Sequence, residues 1–260
     1  MDKINGKRIE KNLRGALKVF TFDALDSTNA EAKRRVSAGL SGPSLFVAEK
    51  QSAGRGRLGR SFYSPGGTGI YMTLAWPVPE GDSDFLRATA KAAVAVLSGL
   101  QRTVNAAIFI KWVNDIYYNG RKIAGILTES IRAEAEEGNA PTTWLIIGIG
   151  INAGTCEFPE ELSDIAGSIE IYKNDRTGLI IDIMEELLPE LINLSDKSYL
   201  DIYRSRSNIL GRRIFFGTAP DFEEGRAVEI DDTGALIVEK DTGERMRLFT
   251  GEISVRPAGE

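Results

Sequence analysis

The 260-residue sequence contains no histidine and a single cysteine, Cys156. The missing histidine excludes Ser-His-Asp and Cys-His nucleophile systems, histidine-ligated zinc and the most common general base at neutral pH. A single cysteine excludes an intrachain disulfide and a cysteine cluster around a structural metal, and it is typical of a reducing compartment. Any chemistry must therefore use lysine, arginine, carboxylates, backbone amides and a metal ion brought in from outside.

Long apolar runs are also missing. No stretch of about 18 apolar residues occurs, and the amino-terminal region mixes charged and apolar side chains instead of forming a signal peptide. These absences favour a cytoplasmic protein with no membrane partner. The net charge of −5 argues against a general nucleic-acid or membrane coat but leaves room for a local basic site.

The chain is long enough, with 42% hydrophobic residues, for one large domain and a small second one. Hydrophobic periodicity predicts strands at 16–25, 45–48, 70–76 and 144–151, and helices from Thr28, at 85–100, about 178–194 and 197–207. Thr28 followed by Glu31 has the spacing of a capping box. Residues 108–118 and 122–129 form a predicted hairpin, because Asn119-Gly120 easily adopts the positive φ angles of a type I′ turn.

The composition changes after Leu210. Short strand candidates follow at 212–216, 225–230, 235–239 and 246–250, and Asp-Thr-Gly turns at 232–234 and 241–243 separate some of them. Such even spacing predicts a small β-barrel. We place the boundary near Asn208, which gives domains 1–207 and 208–260.

The most informative segment reads GRGRLGR at 54–60. Its glycines let the backbone approach an anion, and Arg55, Arg57 and Arg60 offer bidentate donors to phosphate or carboxylate oxygens. The glycine order matches neither GxxxxGK[ST] nor GxGxxG. The segment therefore predicts a phosphate cradle of another kind, with a mobile basic surface loop as the alternative.

A second segment, KWVND at 111–115, stands before the predicted hairpin turn, and Lys122 follows that turn. The hairpin would bring Lys111 and Lys122 onto neighbouring strands, so that two ammonium groups face one anionic ligand. An ordinary salt-bridged hairpin is the alternative.

Two further segments carry polar or small residues where strands end or cross. Ser27, Thr28 and Asn29 stand at a strand-to-helix junction, where they could hydrogen-bond a polar ring, although helix capping alone would explain them. Gly148 and Gly150 would let a neighbouring chain or a ligand approach their strand, and a buried strand passing a neighbour explains them equally well.

In order, these segments resemble the successive signatures of the biotin protein ligase family. They read STN at 27–29, AEKQSAGRGRLGRSFYSPGGTGIY at 48–71, KWVNDIYYNGRKIAGIL at 111–127 and GIGIN at 148–152. The resemblance extends from about residue 20 to 152, and the carboxyl-terminal barrel is similar to that family's SH3-like domain. It implies an α+β fold with a class II synthetase-like mixed sheet.

The resemblance implies an enzyme that activates biotin with ATP as biotinyl-5'-AMP, releases pyrophosphate and transfers biotin to a lysine of a carrier. Mg²⁺ is expected with ATP, and the partner is the biotin carboxyl carrier domain of a biotin-dependent carboxylase. Some members carry an amino-terminal helix-turn-helix domain. Only about fifteen residues precede the first predicted strand, so we expect no sequence-specific nucleic-acid binding. Homodimers occur among relatives.

The resemblance also assigns roles to residues of this sequence. The biotin-binding residues would be Ser27, Thr28, Asn29, Gln51, Gly54, Arg55, Gly56, Arg57, Lys122, Gly125 and Gly148. The ATP- or adenylate-binding residues would be Arg57, Arg60, Lys111, Asn114 and Asn152. Lys111, Asp115 and Arg55 would be catalytic: Lys111 stabilises charge at the carboxylate and α-phosphate, and Asp115 orients or deprotonates the carrier lysine.

The chain departs from the family pattern at Leu58, Phe62 and Val113, where relatives often carry arginine, tryptophan and proline. A missing charge and a smaller ring suggest faster loss of the adenylate. The alternatives are a lipoate ligase, a nucleic-acid-binding module and a non-catalytic biotin-binding protein. The GRGRLGR and KWVND segments favour biotin, and the acidic balance disfavours nucleic acid.

Overall fold

The computed structural model describes residues 2–78, 84–133, 142–154, 157–218, 220–249 and 254–257, so that Cys156 lies outside the described residues. The first elements are α1 (Gly6–Asn12), β1 (Lys18–Phe22), α2 (Thr28–Ser37), β2 (Ser44–Ala48), β3 (Gly69–Val78), α3 (Phe85–Thr103), β4 (Ile108–Lys111), β5 (Asp115–Tyr118), β6 (Arg121–Ala133), β7 (Thr142–Asn152), α4 (Arg176–Ile192) and α5 (Tyr199–Ser205). The last are β8 (Arg213–Thr218), β9 (Asp221–Ile230), β10 (Leu236–Glu239), β11 (Arg245–Leu248) and β12 (Ser254–Pro257).

A seven-stranded mixed sheet in the order β1-β2-β3-β7-β6-β5-β4 forms the larger part of the molecule. Only the β1–β2 pair is parallel among its described pairings. The central strands β3 and β7 are almost continuously apolar and buried. Such runs are typical of strands covered on both faces, which explains why these two lie in the middle of the sheet.

Helices cover both faces of this sheet. The alanine-rich α3 is buried over most of its length and packs with α4 in the main core. On the opposite face, Ala32 and Val36 of α2 pack with Phe46, Trp144 and Ile146. The start of α2 is therefore held against the sheet by apolar packing, which positions the polar residues at its first turn.

The smaller part is a separate antiparallel sheet in the order β11-β10-β9-β8-β12. Its turn at Gly234 touches the larger part, because the indole Nε1 of Trp112 donates a hydrogen bond of 2.9 Å to the Gly234 carbonyl. The hydroxyl of Tyr203 on α5 donates to the carbonyl of Val113 at 2.7 Å. The KWVND segment is thus held by two contacts, one with the Gly234 turn of the second sheet and one with Tyr203 of α5.

The mixed α+β fold, with a second small antiparallel sheet, confirms the sequence-based prediction in outline. One prediction was wrong in detail: the 108–118 arm is two strands, β4 and β5, separated by a turn at 112–114. As a result β5 lies between the strands of Lys111 and Lys122, which are therefore not neighbours. Helix α1 and strand β12 were missed, since each is too short to show a clear hydrophobic period.

The turn at Asn119-Gly120 was predicted correctly, whereas the capping box at Thr28 was not. Asn119 and Gly120 have φ angles of 50° and 74°, as a type I′ turn requires. The cap of α2 is Ser27, whose hydroxyl accepts the amide N–H of Ala30 at 3.5 Å, so Thr28 is the first helical residue and does not begin a capping box.

Among the described helices, none is long and apolar enough to cross a membrane.

Candidate ligand-binding site

A cavity of about 780 Å³ is lined by residues from α2, β5, β6 and β7 and from the arginine-rich segment 55–60. The four sequence segments, which are far apart along the chain, meet in its wall. The predicted site residues that line it are Ser27, Thr28, Asn29, Gln51, Arg55, Gly56, Arg57, Arg60, Lys111, Asn114, Asp115, Lys122, Gly125, Gly148 and Asn152. A volume of this size can enclose a ligand larger than a single ring.

Gly54 is the predicted residue that does not line the cavity. A Cβ atom at this position would lie 2.4 Å from the carbonyl oxygen of Phe62 and 2.7 Å from Oγ of Ser64. The amide of Phe62 donates to the Gly54 carbonyl at 2.9 Å. Gly54 therefore closes the base of the arginine loop, and its role is to let the two arms of that loop come together.

The arginine loop is a small hairpin. The amide of Gly56 donates to the carbonyl of Arg60 at 2.7 Å, and Leu58 and Gly59 form its tip with φ angles of 58° and 72°. This arrangement presents the side chains of Arg55 and Arg57 to the cavity. The loop thus places guanidinium groups at the cavity by backbone hydrogen bonds.

Arg57 connects the loop to the KWVND turn. Its Nη1 donates to Oδ1 of Asn114 at 3.1 Å, and Nδ2 of Asn114 donates to the carbonyl of Ile126 at 2.8 Å. Burial lowers the pKa of Arg57, against the opposing effect of the Asp115 carboxylate. An arginine stays protonated at neutral pH even so, so the loop places a partly desolvated cation beside the cavity.

Asp115 and Lys122 form an ion pair with 2.6 Å between Oδ1 and Nζ. Gly125 is opposite Asp115 in the β5–β6 ladder, and a Cβ atom there would lie 3.1 Å from Nζ of Lys122. The missing side chain at Gly125 therefore makes room for the ammonium group. Lys122 reaches the cavity over Gly125, which is a different route from the neighbouring-strand arrangement predicted from the sequence.

Lys111 ends β4 directly opposite Asp115. Its ammonium nitrogen lies 5.3 Å from the centre of the Tyr117 ring, a distance at which a cation is attracted to the face of an aromatic ring. Lys111, Lys122 and Arg57 thus surround one carboxylate, Asp115. The positive groups exceed the negative ones at this end of the cavity, which favours an anionic ligand.

The other end of the cavity is lined by hydroxyl and amide side chains. The backbone N–H of Thr28 donates to Oε1 of Gln51 at 2.8 Å, and Nε2 of Gln51 donates to Oγ of Ser64 at 3.0 Å. Oγ1 of Thr73 lies 2.8 Å from Oγ1 of Thr28 and 2.6 Å from Oδ1 of Asn29. This connected group of hydroxyl and amide side chains, with Ser27 beside it, can recognise a polar ring.

Gly148 makes this polar end possible. A Cβ atom there would lie only 2.2 Å from Oδ1 of Asn29. At Gly150 the corresponding space is filled by the ring of Phe62, with 2.6 Å from such a Cβ atom to Cε1. The two glycines of the GIGIN segment thus admit side chains of the cavity wall against the strand.

Several lining residues were not predicted. Five of them are apolar and come from the segment after β7 or from the second sheet: Phe158, Leu162, Ile165, Ala166 and Phe222. The segment is attached to β6, because the amide of Lys122 donates to the Ile165 carbonyl at 2.9 Å and the amide of Gly167 donates to the Lys122 carbonyl at 2.8 Å. No local sequence pattern marks these residues, since only tertiary pairing brings them to the cavity.

Metal-binding clusters are not evident at the site. Within the described ranges, no group of three or more His, Cys, Asp and Glu side chains could hold a metal ion. Asp115 is the acidic member of the cavity wall and is already paired with Lys122. A metal ion needed here would therefore be bound largely by a ligand's own oxygen atoms, as is common for Mg²⁺ with phosphates.

The fold and the cavity define a protein that binds a small molecule with a polar ring and an anionic end. The chain belongs to the Biotin/lipoate A/B protein ligase family, whose model matches residues 21–152. A second family model, Biotin protein ligase C terminal domain, matches residues 209–256.

Named relatives agree with this membership. The chain is 32% identical over 263 residues to the Bifunctional ligase/repressor BirA of Bacillus subtilis (strain 168), covering 96% of this chain and 80% of that one. It is 34% identical over 245 residues to the Biotin--[acetyl-CoA-carboxylase] ligase of Paracoccus denitrificans, covering 85% and 94%. The biotin protein ligase from Aquifex aeolicus, solved with biotin and ATP, shares the fold with a TM-score of 0.75 at 24% identity, covering 93% and 99%.

Proposed function

We propose that this protein is an ATP-dependent biotin protein ligase. It forms biotinyl-5'-AMP and pyrophosphate, and then transfers biotin to a lysine of the biotin carboxyl carrier domain of a carboxylase, which releases AMP. The observation that carries this proposal is the convergence of four distant segments on one cavity with a polar end and a cationic end. Biotin has the matching form, with a ureido ring at one end and a carboxylate at the other.

The first half-reaction needs charge stabilisation more than proton transfer. A carboxylate is already anionic at neutral pH and attacks the α-phosphorus of ATP without a general base, which accounts for the lack of histidine. Lys111, Arg55 and Arg57, which line the cavity, would stabilise the charge that develops on the phosphate oxygens. Mg²⁺ bound by the phosphates of ATP would neutralise the pyrophosphate leaving group.

The second half-reaction needs a neutral lysine amine from the carrier. Asp115 is the carboxylate at the cationic end of the cavity, where the carbonyl carbon of the adenylate would lie. We infer that Asp115 orients this amine and accepts its proton, which contributes typically 10²- to 10⁴-fold to a rate. The apolar side chains of Phe158, Leu162 and Ile165 would limit the access of water to the mixed anhydride.

The polar end supports recognition of the ureido ring by Ser27, Thr28, Asn29 and Gln51. A site that hydrogen-bonds the carbonyl and both N–H groups of a ligand can strongly reject an analogue without them. Lipoate, the substrate type of other members of the matched family, has an apolar dithiolane ring in this place. The hydrogen-bonding end of the cavity therefore favours biotin over lipoate.

The test is biotin-dependent exchange of labelled pyrophosphate into ATP, with lipoate and octanoate as substitutes. We expect exchange with biotin alone, and loss of at least 10²-fold in Lys111→Ala, the size seen when a charge-stabilising group is removed. Lys18→Ala is the matched control, because Lys18 is exposed at the edge strand β1 and its ammonium donates to Ser41 at 3.2 Å. Exchange supported by lipoate would move the protein to the other branch of the family, and exchange with neither acid would overturn the proposal.

The finer architecture and the partners are part of the proposal. We infer a division into domains 1–207 and 208–260, with a class II synthetase-like first sheet and an SH3-like second sheet, a cytoplasmic location, and no sequence-specific binding to nucleic acid. A homodimer through a sheet edge is a further expectation. Limited proteolysis near Asn208 and light scattering of the purified protein would test the division and the oligomeric state.

A further inference from the structure

Two residues that do not line the cavity contact its polar end through Asn29. Glu129 lies on β6 and Thr73 on β3, and neither belongs to the sequence segments that predicted the site. Thr73 is fully buried, and the Glu129 side chain is 26% exposed. Both touch Asn29, which links them to the cavity.

Glu129 determines the orientation of the Asn29 amide. Its Oε2 accepts a hydrogen bond of 2.9 Å from Nδ2 of Asn29, and its Oε1 is 2.6 Å from the ammonium of Lys33. Burial raises the pKa of Glu129, but the hydrogen bonds from Asn29 and Lys33 outweigh burial and hold the pKa below its usual range. An ionised carboxylate only accepts hydrogen bonds. The NH₂ group of Asn29 must therefore face Glu129, and its oxygen must face Thr73.

The orientation of Asn29 in turn decides where the hydroxyl proton of Thr73 goes. Oγ1 of Thr73 lies 2.6 Å from Oδ1 of Asn29 and 2.8 Å from Oγ1 of Thr28. A hydroxyl has one proton to donate, and Oδ1 of Asn29 has none. The Thr73 proton is therefore used on Asn29, and Thr73 has no proton left to donate to Thr28.

The direction of these hydrogen bonds affects a ligand through the hydroxyl of Thr28. Its hydroxyl proton points into the protein, either to Thr73 or to Oε1 of Gln51, which lies 3.1 Å away. The lone pairs of Oγ1 then remain for the cavity that Thr28 lines. The polar end therefore presents an acceptor at this position, which suits an N–H group of a ureido ring.

We propose that Glu129 and Thr73 are positioning residues that set the hydrogen-bond polarity of the ring-binding end, so that Thr28 accepts an N–H of the ligand. The inference rests on the proposed function, because it concerns the ring of that substrate. We therefore expect the Glu129–Lys33 pair, which lies outside the cavity, to affect selectivity for the ring of the ligand through Asn29 and Thr73.

The test compares Glu129→Gln, Thr73→Val and Thr73→Ser with the wild-type protein in biotin-dependent pyrophosphate exchange. Glutamine can donate as well as accept, so the Asn29 amide is no longer held in one orientation, and valine removes the hydroxyl while keeping the shape. In Glu129→Gln and Thr73→Val we expect the KM for biotin to rise about tenfold, as for the loss of one net hydrogen bond, with kcat changed less than twofold. Thr73→Ser keeps the hydroxyl and should restore the wild-type KM.

A second ligand separates polarity from general loosening of the site. Biotin methylated at a ureido nitrogen lacks one N–H donor, so the wild-type protein should discriminate against it. The discrimination between biotin and the methylated form should shrink about tenfold in Glu129→Gln, because Thr73 can then donate its proton to Oγ1 of Thr28 and occupy this acceptor. A merely structural role of Glu129 would weaken both ligands equally and leave this ratio unchanged, which would overturn the inference.

Thr128→Val is the matched control, because Thr128 precedes Glu129 on β6 and its Oγ1 lies 2.8 Å from Oγ1 of Thr89 on α3, away from the cavity. It should keep the wild-type KM. Glu129→Gln is the decisive variant if Thr73→Val does not fold, since Glu129 is partly exposed. An inactive wild-type protein would overturn the proposed function, whereas an active wild-type protein with unchanged KM values in both variants would overturn this inference alone.

Discussion

The ammonium nitrogen of Lys122 lies 2.6 Å from the carboxylate of Asp115, across the β5–β6 ladder. From the sequence, we expect Lys122 to bind biotin and Asp115 to act on the lysine of the carrier. In the structure they form an ion pair with each other. A ligand carboxylate that binds Lys122 would compete with Asp115, so we expect substrate binding to weaken this pair and leave Asp115 available for the amine.

Asp115→Asn should therefore separate the two half-reactions. We expect pyrophosphate exchange within a few-fold of the wild-type rate, and transfer of biotin to a carrier domain slower by about 10²-fold, as for the loss of a general base. Single-turnover transfer from preformed biotinyl-5'-AMP measures the second step alone. Asp23→Asn is the control, because Asp23 is 81% exposed and pairs with Lys3. Equal losses in exchange and transfer would contradict the assignment of Asp115 to the second step.

Gly148→Ala should displace Asn29 from the polar end of the cavity. The added Cβ atom would meet Oδ1 of Asn29 at 2.2 Å, so that either the side chain or the strand must move. We expect the Kd for biotin to rise at least tenfold, which corresponds to about 1.4 kcal/mol, with a smaller effect on ATP binding. Titration calorimetry gives both values.

The matched control for this substitution is Gly66→Ala. The nearest atom to a Cβ there is Cβ of Lys50 at 3.8 Å, an ordinary van der Waals contact, and it should bind biotin like the wild type. Unchanged biotin affinity in Gly148→Ala would show that the position of Asn29 is not needed for recognition of the ring.

Lys91 is a fully buried ammonium on α3, and its two protein acceptors are Oε2 of Glu190 at 2.5 Å and the Asn193 carbonyl at 3.2 Å. Glu190→Ala should destabilise the protein by about 3 kcal/mol, because it leaves a buried cation without its carboxylate. Lys91→Met should cost less, since it removes the charge and keeps an apolar chain of similar length. Urea denaturation measures both, and an equal cost for the two substitutions would contradict this explanation.

The stability of the fold should depend on Glu129 at acid pH. Its pKa in the folded protein lies below the ordinary value of 4.5, so the unfolded chain binds a proton more readily than the folded one. The stabilisation is therefore complete above the ordinary pKa and is lost as the pH falls through the folded value. The positive groups that act on this carboxylate are Lys33 and Arg55.

Glu129→Gln cannot titrate and should lose less stability than the wild-type protein when the pH is lowered from above 4.5. The measurement is the difference between the two proteins in thermal unfolding over this range, because other carboxylates titrate in both and cancel. Lys33→Met removes the nearer cation and should reduce the same difference. Parallel curves for wild type and Glu129→Gln would show that Glu129 has no lowered pKa in the folded protein.

Short-range sequence patterns predicted much of this molecule. The apolar runs of β3 and β7, the alanine-rich α3 and the Asn119-Gly120 turn follow from burial and backbone preference within a few residues. Most residues that meet in the cavity wall at its two ends were predicted from the four signature segments, because each segment carries a recognisable set of charged or polar side chains. The break between β4 and β5 was missed, since the stretch from Ile108 to Tyr118 is apolar enough to predict one strand.

The sequence by itself determined which kinds of side chain the site contains: arginine and lysine for an anion, and hydroxyl and amide groups for a polar ring. Tertiary structure alone decided their partners. Asn29 meets Glu129 across 100 residues of chain, Asp115 takes Lys122 as its partner over a missing side chain at Gly125, and Phe222 arrives from the second sheet. Hydrogen-bond direction and ion pairing depend on distances of a few ångströms, and long-range strand pairing sets those distances.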